Sequence, residues 1–246
     1  MKKLNLIIFL ISLISFSQQR DNPISLNGEW EIIYDTINNG REKQAHTIQG
    51  FDKLNSEKIL VPSGWEEYKK DFEGVVYYKK TFRAPKEFKD KVIHLNFDAV
   101  NYLSEVYLND NALGYHEGGF SPFKFNIEHV LNFDEINTLI LRVVGPITIQ
   151  DKSIDGMGQM ETPQWRGSYT GGIWQNVYLE ATGKIMIDDL FIKSDIYLKK
   201  SDMDFKIINR NNNNQKTLLI NKVFNQKGDE IASQETEILL SPGINN

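Results

Sequence analysis

The sequence predicts an all-β chain, a large jelly-roll β-sandwich followed by a second, smaller sandwich. Three observations carry that expectation. Period-two alternation recurs along the 246 residues while helical periodicity is scarce, so apolar side chains fall on one face of extended segments. Turn-forming residues separate those segments at short intervals, as in sandwiches and jelly rolls. Hydrophobic residues make up 40% and aromatic residues 11%, enough to fill a globular core.

The first seventeen residues read as a targeting segment outside the fold. Lys2 and Lys3 are followed by an apolar run over 4–14, and Ser15-Phe16-Ser17 is a small-x-small cleavage site before Gln18. The run is too short to anchor stably in a bilayer. A cleaved signal peptide and a periplasmic or secreted mature chain are expected, with no membrane association afterwards.

Strands follow in order. In the segment 74–82, Tyr78 and Phe82 share one face and Tyr77 lies on the other. Ile93, Leu95 and Phe97 alternate with His94, Asn96 and Asp98. Val106 and Leu108 lead into Asn109-Asp110-Asn111, and Ala112 and Leu113 lead out, so a hairpin is expected there. Phe123, Phe125 and Ile127 alternate with polar residues, and Leu139, Leu141 and Val143 put a second apolar face beside Arg142. A last strand over 173–180 closes the first domain, with a boundary at Thr182-Gly183. Strands are then expected over 185–192, 204–208, 217–225 and 230–240, with a polar loop at 209–214 and a hairpin turn at Lys227-Gly228-Asp229. These four strands resemble the opening of an immunoglobulin-like sandwich, which takes about seven. The domain 183–246 is therefore expected to be partial.

Charge and composition exclude several function classes. The net charge of −5 becomes −7 once Lys2 and Lys3 leave, and no basic run exists to meet a phosphate backbone, so nucleic acid is not an expected partner. Without cysteine there is neither a disulfide framework nor a thiolate metal site. His46, His94, His116 and His129 are dispersed and show no ligand spacing, so no metal and no cofactor are expected. Nothing in the spacing brings Glu66, Asp98 and Glu117 together as a carboxylate pair, and no nucleophile elbow supports a catalytic triad.

Several segments recur in a set order: 26–30 (LNGEW), 61–65 (VPSGW), 74–82 (GVVYYKKTF), 97–100 (FDAV), 106–109 (VYLN), 114–123 (GYHEGGFSPF) and 171–180 (GGIWQNVYLE). Together they resemble glycoside hydrolase family 2, which includes β-galactosidases, β-glucuronidases and β-mannosidases. The resemblance covers that family's galactose-binding-like jelly-roll domain and the start of the immunoglobulin-like domain after it.

The resemblance implies β-glycoside hydrolysis by two glutamates held in a separate barrel, the separation of such a pair setting the stereochemical route. A (β/α)₈ barrel takes about 250 residues, and nothing in this sequence resembles either barrel motif, so no catalytic residue is expected here. The chain reads as the non-catalytic N-terminal region of an exported family 2 enzyme, cut short by a frameshift, a gene split or a partial record, an adjacent reading frame being one place for the missing barrel. A stand-alone carbohydrate-binding module is the alternative, and a non-catalytic adhesion sandwich a third reading.

In the family, a loop before the Gly-Ile-Trp strand reaches the terminal sugar. The matching stretch is 155–169. There Asp155, Glu161, Gln164 and Arg166 can hydrogen-bond hydroxyls or a uronate, and Trp165 or Tyr169 can stack on a pyranose ring. The neighbours of Trp165 are Pro163 and Gln164 rather than the aspartate common in the family, and the spacing to Gly172 is longer. A plain surface loop with solvated charges has the same composition.

Overall fold

The computed structural model describes residues 22–145, 147, 154, 171–195, 197 and 200–246. The expected signal peptide lies outside them. The chain forms two compact units that meet in sequence between Ala181 and Thr182.

The first unit runs β1 (Ile24–Ser25), β2 (Gly28–Asp35), α1 (Ile48–Asp52), β3 (Glu57–Val61), β4 (Val75–Arg83), β5 (Val92–Phe97), β6 (Leu103–Leu108), β7 (Asn111–Glu117), β8 (Phe123–Asn126), β9 (Ile136–Val144) and β10 (Val177–Thr182). Six strands form one sheet in the order β3-β2-β4-β9-β6-β7, and four form another in the order β1-β10-β5-β8. Antiparallel register sets the faces. Ile32, Tyr78, Leu141 and Val106 stand side by side across the six-stranded sheet. All four join the main apolar core, together with Leu95, Phe97, Val177 and Leu179 of the four-stranded sheet. Two sheets sharing one core make the sandwich that the alternation predicts.

The other face of the six-stranded sheet carries the neighbouring register row: Ile33, Tyr77, Arg142 and Glu105. The connection between β2 and β3 folds over it. Ala45 and Phe51 of that connection pack with Ile33, Val75, Tyr77, Ile140 and Val144 in a second apolar cluster. Asp35 accepts bonds from the Asn39 and Gly40 amides at 2.9 and 2.8 Å, which turns the chain back over the sheet. Thr47 caps α1 by accepting from Gly50 N at 3.0 Å. Arg142 is buried on this face, its Nη1 3.3 Å from Glu105 Oε1.

The β6–β7 hairpin turns on Asn109 and Asp110, both at positive φ (51° and 63°), the two-residue geometry that matches strand twist. Strand β5 departs from simple alternation. His94 and Asn96 are buried as well as Ile93, Leu95 and Phe97, and the amide of Asn96 donates to His94 O at 3.2 Å.

The second unit holds β11 (Ile185–Asp195), β12 (Lys200–Asn209), β13 (Gln215–Phe224), β14 (Glu230–Leu240) and β15 (Gly243–Asn245). They form a sheet β11-β12-β15 and a hairpin β13-β14. The short β15 is a strand beyond the four that alternation reveals. Asn209 belongs to β12 and is buried, not part of the polar loop; its amide donates to Asn213 O and Leu240 O, each at 3.1 Å. A hollow of about 890 Å³ opens within this unit, lined by Phe191, Met203, Phe205, Leu219, Ile238 and Leu240 among others. The described residues of both units confirm an all-β chain.

Candidate functional site

The six candidate sugar contacts, Asp155, Glu161, Gln164, Trp165, Arg166 and Tyr169, lie outside the described residues. Their flanks are described. Strand β9 ends at Val144, and Gly145 bonds back to Gly74 O at 2.9 Å. Ile147 and Ile154 are both buried in the second apolar cluster. The chain is described again from Gly171.

Trp65 joins these flanks. Its indole lies so close to both Gly145 and Gly171 that a Cβ on either would overlap the ring. The Trp65 amide donates to Gly171 O at 3.1 Å, and the carboxylate of Glu66 accepts from Gly171 N at 3.3 Å. The indole N–H donates to Phe72 O at 3.2 Å, which fixes the ring's orientation. Gly172 abuts the Tyr78 hydroxyl, whose phenol burial raises well above its ordinary value. In sequence, the residues predicted to touch sugar thus fall between two glycines that both pack against one buried tryptophan. Sequence alone hides this, because Trp65 is 80 or more positions from both glycines and reads simply as core.

Glu66 therefore serves the backbone, and Asp98 accepts from the Asn176 amide at 2.9 Å; each acid has its own structural partner. Among the described residues no group of three His, Asp or Glu side chains is placed to hold a metal ion. His116 stacks on Phe123 at 4.2 Å between centroids, with Nε2 3.3 Å from Ser121 Oγ. Burial lowers its imidazole below the ordinary value, against the opposing charge of Glu117, so the ring is neutral at pH 7. Trp174 is half-buried, and its indole donates to Gly119 O at 2.8 Å.

Residues 66–173 match the family model described as glycosyl hydrolase 2 galactose-binding domain-like. A β-galactosidase of Thermoanaerobacter pseudethanolicus is 25% identical over 178 residues, covering 70% of this chain and 22% of that protein. A β-glucuronidase of Bacteroides fragilis is 26% identical over 205 residues, covering 78% of this chain and 25% of its own. The chain thus spans about a quarter of the length of these curated relatives. A solved β-glucuronidase of glycoside hydrolase family 2 superposes with TM-score 0.73 at 21% identity, over 94% of this chain and 26% of that one. The Ruminococcus gnavus β-glucuronidase gives a TM-score of 0.71 at 18% identity, over 94% and 40%. At such identities the superpositions establish the fold. With the ordered motifs and the matched family model on that fold, the first unit is similar to the galactose-binding-like N-terminal domain of glycoside hydrolase family 2.

Proposed function

We propose that this chain is the non-catalytic N-terminal region of an exported family 2 glycoside hydrolase, and that its first unit forms one wall of a sugar pocket whose catalytic carboxylates sit on a barrel. The observation that carries this is the family match over residues 66–173, which ends at the root of the segment bearing Asp155, Glu161, Gln164, Trp165, Arg166 and Tyr169. The strand order β11-β12-β15 supports an immunoglobulin-like second unit, since sandwiches of that type place their first two strands beside a later one in one sheet. Export is read from the basic, apolar and small-residue pattern of residues 1–17.

The chain alone is expected to leave an aryl β-glycoside intact. Turnover by the pure 246-residue product, free of contaminating enzyme, would overturn this assignment. The second reading is a carbohydrate-binding module that works alone. It is favoured by the self-contained core between the two sheets of the first unit, which needs no further domain to close it. Saturable binding of oligosaccharides by the isolated chain, with no partner polypeptide added, distinguishes it from the first.

A further inference from the structure

The 118–123 turn, GGFSPF, has a feature that the pocket-wall reading does not use. It is held firmly from beneath. Gly118 N donates to Tyr102 O at 3.2 Å, the Trp174 indole donates to Gly119 O at 2.8 Å, and a Cβ on Gly119 would overlap the Asn101 side chain. Yet at the crest of this rigid turn Phe120 is 55% exposed. A phenyl ring is among the side chains most often buried, so holding one out on a stiff base points to a surface that meets something.

The chemistry around Phe120 narrows what that is. Its ring stands edge-on to Trp174, 5.3 Å between centroids with planes at 70°, so the two rings form a corner. The indole N–H of Trp174 is already committed to Gly119, which leaves carbon surface on offer. The neighbouring Ser121 is exposed, and its hydroxyl is oriented by His116 Nε2 at 3.3 Å. No residue of 118–123 is charged. A single exposed ring face with an adjacent hydroxyl suits a small amphipathic ring, which buries C–H surface on the aromatic and keeps its own hydroxyls bonded. A protein or lipid partner would call for a wider apolar area. Position agrees. Asn101 forms an antiparallel bridge with Gly172, two residues before Trp174, so the crest stands at the root where the candidate sugar segment returns to the sandwich.

We infer that Phe120, backed by Trp174 and flanked by Ser121, is a contact for the pyranose ring of a β-glycoside, whose C–H face lies on the phenyl ring and one of whose hydroxyls bonds Ser121 Oγ. This rests on the second reading, that the first unit binds carbohydrate by itself, and it adds residues beyond the six of the segment. The test is calorimetric titration of the full chain and its Phe120→Ala, Phe120→Tyr and Ser121→Ala variants with methyl β-galactoside and methyl β-glucuronide. Both positions are exposed, so the melting temperature is expected to hold. Phe120→Ala is expected to weaken whichever probe binds about five- to tenfold, Ser121→Ala by less, and Phe120→Tyr hardly at all. Binding by Phe120→Ala as tight as by the native chain overturns this contact and leaves the carbohydrate reading standing. If neither probe binds the native chain at millimolar concentration, the stand-alone binding reading falls and this contact falls with it, while the pocket-wall reading stands.

Discussion

Trp65 shows how one side chain can do more than fill volume. Its indole contributes to the main core and also packs against both Gly145 and Gly171, described flanks of the candidate sugar segment. Gly171→Ala is expected to cost about 1–3 kcal/mol, because an added methyl in a packed site forces neighbours off their rotamers. Urea denaturation measures it, and Trp65→Phe in the same chain should recover part of the loss by making room. A fully tolerated Gly171→Ala would show that the ring moves aside freely. Asn109 is a second residue with several duties. Its side chain donates to Val130 O and Asn137 Oδ1 and accepts from Thr138 N, all within 2.9 Å, while its backbone takes the positive φ of the hairpin. The sequence marks Asn109 as a turn residue; the three long-range bonds are a product of folding.

At the scale of elements, the cover over the outer sheet face is tied down by charge as well as by Phe51. Lys79 of β4 reaches Asp52 of α1 at 2.6 Å and Glu31 of β2 at 3.0 Å. Burial pulls the Lys79 ammonium down, but its bonds to Asp52 and Glu31 outweigh this and raise it above 10.5. Burial likewise pushes the Glu31 carboxyl up, yet bonds from Lys79 and Ser56 bring it below 4.5. The signs fix the pH window. A depressed carboxyl contributes stability above its unfolded value and loses it as pH falls through the folded one; a raised ammonium contributes below its unfolded value and loses it as pH climbs through the folded one. The tether is therefore intact between about 4.5 and 10.5. Lys79→Met is expected to remove the part of the acid-side stability loss that this pair causes, while costing about 0.2–1 kcal/mol at neutral pH. Thermal melts across the acid range, native against variant, check it; identical acid profiles would count against the tether.

For the whole molecule, the two units differ in how well they hide apolar surface. The first closes a core between two sheets, whereas in the second Phe191 and Leu239 are each more than half exposed on the lining of an open hollow. Exposed apolar strand surface promotes association. A product of residues 18–182 is expected to bind less of a hydrophobic dye than the full chain and to melt no lower; stronger dye binding or earlier melting would show that the second unit protects the first. Period-two spacing of apolar residues at 93–97 and 123–127 was enough to announce the strands, because an extended backbone sends alternate side chains to one face, although β5 proves to be buried on both. The ordered motifs were enough to announce the family resemblance. Neither reveals that β9 lies between β4 and β6, that Arg142 is buried opposite Glu105, or that Trp65 meets two glycines from distant parts of the chain. Alternation is a local property, dictated by the geometry of an extended backbone and one apolar face. Which strands become neighbours, and which side chains then converge, depends on contacts between residues tens of positions apart, and only the folded chain decides those.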